Sequence, residues 1–196
     1  MRASTRSGSR GAVLAAALLA AGCTQTPGTP PEQGLVAFRI PSINLTVGSD
    51  PVATAIGSAA SYLGDPRSRL AGRPALAAQV AAQYEFVTEA LREPRFVGLS
   101  PLTQPQMARG RVALRETIGI AADAPPRVAM AQLSALAGAL DRGDLAVAQT
   151  ILEAAPFTRP GREVLQTLAA MPAVPEAARA ASFADQQVNR SLRPID

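Results

Sequence analysis

The stretch "YEFVTEALREPR" carries three glutamates, Glu85, Glu89 and Glu93, each four residues from the next. On a helix that spacing lines them along one face. Paired carboxylates can do acid–base chemistry on sugars. One, with its pKa raised by an apolar pocket, protonates a leaving oxygen, while the other acts across a cleft as base or nucleophile. Glu85 and Glu89 are the candidate acid pair. The same spacing also suits a solvated face neutralised by Arg92 and Arg95, because Tyr84 and Val87 already claim the side a core would cover. A second cluster lies downstream in Arg109, Arg111, Arg115 and Glu116. Arg111 and Arg115 stand one turn apart and could grip a phosphate, a carboxylate or anionic lipid headgroups. A polar helix face in a chain whose only cation is arginine would show the same pattern.

Missing residue types narrow the chemistry further. The 19 basic residues are all arginine, histidine is absent, and there is one cysteine. Without lysine there is no Schiff base, Ser–Lys dyad or P-loop. Without histidine there is no Ser–His–Asp triad and no imidazole ligand for a metal. No acidic spacing matches a calcium loop, and zinc has no ligand set, so neither metal nor cofactor is expected. With no Trp, 5 Phe and 2 Tyr, aromatic stacking on nucleic acid finds no support. The reading is therefore non-catalytic, and nucleic acid is not an expected partner.

The one thiol sits at a telling place. "MRASTRSGSR" is basic and free of acids, an apolar run follows from Ala12 to Ala21, and Gly22 and Cys23 close it. A basic start, a short apolar run and small residues at a cleavage point are the marks of an export signal, here residues 1–22. The run is well short of the roughly 20 apolar residues of a membrane span. Its end, "LLAAGC", resembles the lipobox of bacterial lipoproteins, with Gly22 at −1 and Ala20 at −3, where that class usually has leucine. The resemblance covers about the first 23 residues. It implies cleavage before Cys23, a diacylglycerol on its sulfur and an acylated new amino terminus. Two or three acyl chains exceed what stable anchoring needs. Thr24 follows where inner-membrane lipoproteins carry aspartate. By that analogy the chain belongs in the cell envelope, on the periplasmic face of the outer membrane rather than at the inner membrane.

Net charge points to no class of partner. Arg2, Arg6 and Arg10 lie in the leader and all 15 acids outside it, so its removal takes the formal charge from +4 to +1. That balance favours neither an acidic partner nor nucleic acid.

The elements that must position these residues come next. "TQTPGTPPEQG", within residues 23–34, has almost no apolar side chain and suits a disordered tether. Residues 35–49 alternate through Ile43, Leu45 and Val47 around Pro41 and suit an extended segment laid across a domain. From Asp50 to about residue 193 the pattern is helical. Asp50–Pro51 opens the first helix as a cap with proline behind it, and Gly64–Asp65–Pro66 breaks it. Pro74 opens the best-marked helix, with a stripe of Leu76, Val80, Tyr84, Val87 and Leu91. Met107, Arg111, Leu114 and Ile118 mark another, ended by "DAPP". Pro126 starts the next, Gly143 and Asp144 make a helical hairpin, Pro160 opens another helix as its first residue, and Pro175 opens the last. The hairpin resembles a tetratricopeptide-like pair, but no fixed period follows it.

The expectation is an all-α chain, a single irregular bundle of six or seven helices. Its expected role is an envelope lipoprotein whose helical domain binds or scaffolds, held to a membrane by its lipid, with another envelope protein as a candidate partner. The alternative is a carboxylate-dependent hydrolase or lyase acting on cell-wall glycans. A binding module must expose something apolar, and the "RFVGLSPL" break is the expected place.

Overall fold

Proline punctuates this chain, and the helices follow it. The computed structural model describes residues 50–191, so the leader, Cys23, the tether, the 35–49 segment and the end of the domain beyond Ser191 lie outside the described residues. Eight α-helices occur among the described residues: α1 Pro51–Gly64, α2 Pro66–Arg69, α3 Pro74–Ala90, α4 Thr103–Ile118, α5 Pro126–Asp141, α6 Leu145–Leu152, α7 Gly161–Ala169 and α8 Pro175–Ser191. The fold is an all-α bundle. The helix count exceeds expectation because α2 is a single turn, too short to leave a periodic trace.

Local chemistry sets several ends. Asp50 Oδ1 accepts hydrogen bonds from the amides of Val52 (2.7 Å) and Ala53 (3.2 Å), which satisfies two of the unpaired donors at the start of α1. Asp65 does the same for α2 through the amide of Ser68. Gly143, at φ 71°, ends α5 in the left-handed region, and Asp144 Oδ1 caps α6 through Val147. Two boundaries differ from expectation. α4 ends at Gly119, with φ 90°, and not at "DAPP". A side chain at Gly119 would also stand 2.8 Å from Arg159. Pro160 precedes α7 as its cap and is not its first residue.

The larger correction concerns α3. It packs against α1, α4, α5 and α7, while α8 covers α1 and α4. Ala77, Ala78, Val80 and every residue from Ala81 to Thr88 are buried. A helix enclosed on several sides shows no polar stripe. Alanines keep it slim enough to be surrounded. The expected solvated face of glutamates therefore does not exist at Glu85, which sits in the interior.

Candidate functional site

Glu85, Glu89, Arg111 and Arg115, read from sequence as an acid pair and a separate basic pair, meet in one structure. α3 and α4 run alongside each other so that Glu85 faces Arg115 and Glu89 faces Arg111. Arg115 Nε donates to Glu85 Oε1 at 2.6 Å and its Nη2 to Oε2 at 2.8 Å, a bidentate fork with both side chains 3% exposed. One turn along, Arg111 Nη1 donates to Glu89 Oε1 at 2.5 Å, with side chains 15% and 17% exposed. Arg92 reaches the other oxygen of Glu89 at 3.5 Å. Arg95 joins Glu93 (2.9 Å) to Asp50 (2.5 Å) at the end of the row. Each of the three glutamates thus meets at least one guanidinium, and of the four arginines only Arg92 and Arg95 are the expected ones.

Arg115 does more than neutralise. Its Nη1 donates to the carbonyls of Ala122 and Ala124, both at 2.9 Å, which fastens the loop after α4 to the core. Four donated bonds leave little capacity for an external anion. Burial pushes the Glu85 carboxyl above its ordinary range, opposed by the hydrogen bonds and charge of Arg115. Beside it, burial first and the Glu85 charge second hold the Tyr84 phenol well above its usual value. The Tyr84 hydroxyl donates to the Met107 carbonyl at 3.3 Å. Gly110 makes that approach possible, since a Cβ there would collide with the Tyr84 hydroxyl and stand 2.9 Å from Ala177 Cα. The pairing across 30 residues had no signal in the sequence beyond matching i, i+4 spacing on both segments.

Apolar surface is elsewhere. The "RFVGLSPL" break exposes Val97 (88%) and Leu102 (57%), whereas Phe96 is buried under the Arg95 guanidinium, 4.4 Å from its ring centre. A larger concavity of 620 Å³ lies between α6 and α7, with the end of α5 and Pro74 beneath it. Its apolar lining includes Leu140, Leu145, Leu152 and Leu165, and Arg162, Gln149 and Glu153 stand at its edge. A smaller hollow of 380 Å³ between α4 and α8 is lined by Arg109, Arg179, Glu176 and Phe183. Neither Glu85 nor Glu89 lines either one. Among the described residues no group of three side chains is placed to hold a metal ion, and no helix is long and apolar enough to cross a membrane. Cys23, the expected lipidation site, lies outside the described residues. Compared with protein-family models, with curated proteins and with solved structures, the chain matches none.

Proposed function

We propose that this chain is an envelope lipoprotein, anchored through acyl groups on Cys23, whose helical domain is a non-catalytic binding module. The observation that carries the second half is the mutual neutralisation of the four charged residues that could have done chemistry. Glu85 has its fork from Arg115 and Glu89 its bond from Arg111, and neither lines the hollow between α4 and α8 or the groove between α6 and α7. A glycosidase needs two carboxyls across an open space, one of them poised to give up a proton to substrate. The groove between α6 and α7 offers instead the apolar, partly open surface that a binding module requires. Anchoring rests on the leader and on "LLAAGC".

Two measurements test the halves separately. Labelled palmitate should enter the parent chain and not Cys23→Ser, and the parent should sediment with membranes; a leader-bearing chain with a bare thiol would refute the anchor. Purified protein should release no fragments from peptidoglycan. Release that disappears in Glu85→Gln or Glu89→Gln would refute the non-catalytic reading and restore the glycan enzyme.

A further inference from the structure

We infer that the groove between α6 and α7 binds a single-chain carboxylate amphiphile, its alkyl chain along Leu140, Leu145, Leu152 and Leu165 and its head at Arg162. The inference rests on the binding-module reading and names the ligand. Three features of the groove select that chemistry. Leu145 is the first residue of α6 and is 67% exposed, so a leucine forms part of an open wall. At one end Gly161 brings α7 against α6: a Cβ there would stand 3.0 Å from the Cβ of Leu152. The opposite wall along α7, from Gly161 to Ala169, runs about 12 Å at the helical rise per residue.

Size decides between a small ligand and a polypeptide. A volume of 620 Å³ falls within the usual range for small-molecule sites. A wall of about 12 Å is shorter than an average protein helix of about 16 Å or more. An alkyl chain can bend to fit that length; a docked helix is rigid and would overhang it.

Charge decides the head group. Among the described residues no carboxylate lies within ion-pair distance of Arg162. Glu153, the one carboxylate in the lining, keeps its charge but is held on α6 by a hydrogen bond from the Gln149 amide at 3.1 Å, so Arg162 is the lining's cation for an anionic head. One unpaired guanidinium at the edge of an apolar trough matches one negative head on a long tail.

The test is calorimetric titration of the full chain carrying Cys23→Ser, so that no acyl group on the polypeptide competes. Octanoate, decanoate and dodecanoate are titrated below their micelle concentrations, alongside dodecanol and dodecyl phosphate. One-to-one binding should tighten about tenfold for each added pair of methylenes. Arg162→Gln should weaken dodecanoate about tenfold and leave dodecanol unchanged. Leu145→Gln alters a mostly exposed side chain, so the domain stays folded, and it should weaken both ligands. Leu165→Glu should abolish carboxylate binding.

Four results would overturn the inference: no binding of any chain length, binding indifferent to Leu145 and Leu165, dodecanol as tight as dodecanoate, or dodecyl phosphate tighter than dodecanoate. Because Cys23 is replaced throughout, these outcomes are independent of the anchor. Failure to bind amphiphiles alongside palmitate labelling of the parent would remove the ligand and leave the tethered protein.

Discussion

Replacing Glu85 with glutamine keeps the shape of the α3–α4 junction and deletes one charge from its interior. Arg115, 3% exposed, would then keep its bonds to the Ala122 and Ala124 carbonyls but lose its counter-ion. Removing one partner of a buried ion pair costs about 3–5 kcal/mol. For a domain of this size that corresponds to a fall in Tm of roughly 10–20 °C. Arg115→Met should cost at least as much, since two carbonyls also lose their donor, at about 1–3 kcal/mol each. The double variant Glu85→Leu/Arg115→Met removes both charges together and should be more stable than Arg115→Met alone. It should stay below the parent because the carbonyls remain unpaired.

Acidity separates charge from shape in this series. Burial already raises the Glu85 carboxyl with Arg115 present, and without Arg115 only the more distant charge of Arg111 opposes it. A carboxyl whose folded pKa lies above its unfolded value, about 4.3, keeps its full stability below that value and loses it as pH rises through the folded pKa. Arg115→Met should therefore recover toward the parent as pH is lowered to about 4, and the double variant should not. Urea unfolding followed by circular dichroism from pH 4 to pH 8 reads all four proteins. A Glu85→Gln chain within 1 kcal/mol of the parent, or an Arg115→Met deficit that ignores pH, would refute a buried, mutually dependent pair.

Two glycines should respond in opposite senses to the same change. Gly57→Ala on α1 meets only the Asp185 carboxylate at 3.4 Å, so the gain in helix propensity should raise stability by up to about 1 kcal/mol. Gly110→Ala drives a methyl into Tyr84 and the α8 backbone and should lower it by about 1–3 kcal/mol, both read by thermal unfolding. At Asp50, burial raises the carboxyl, but the amides of Ala53 and Val52 together with Arg95 outweigh it and hold it below its usual 3.8. A depressed folded pKa means stability present above the unfolded value and lost as pH falls through the folded one. Asp50→Ala should thus cost about 1 kcal/mol at neutral pH, with the gap to the parent closing below about pH 4 in the same urea titration.

How much of this was legible depended on the range of the physics involved. The Asp50–Pro51 cap and the Gly143–Asp144 hairpin involve atoms a few residues apart, so residue type alone announces them. α2 is one turn and leaves no period to detect. The sequence pattern carries α4 on to "DAPP" because Pro125 and Pro126 are loud signals, while Gly119 acts only through its positive φ. α3 is plain in the sequence, but its surroundings are not. A hydrophobic stripe implies a solvent side only where one exists, and here alanine at Ala77, Ala78, Ala81 and Ala82 is equally at home against α1, α5 or α7. The Glu85–Arg115 partnership spans loops whose course no local rule gives. Each half was singled out, one as an acid and one as an anion grip, without a means of seeing that each was the other's ligand. The groove had no signature because Leu145 and Leu165 look like core residues until their neighbours are placed.

The enclosure of α3 also ranks the domain's motions. Its amides are sheathed by four other helices, so solvent reaches them only when the whole assembly comes apart. Among the described helices α6 packs mainly on α5 and α7, and α7 leans on α3 from outside. These peripheral pieces can therefore loosen at a fraction of the global cost. The walls most exposed to a visiting molecule are the ones able to breathe, and the central rod holds the scaffold steady while they do.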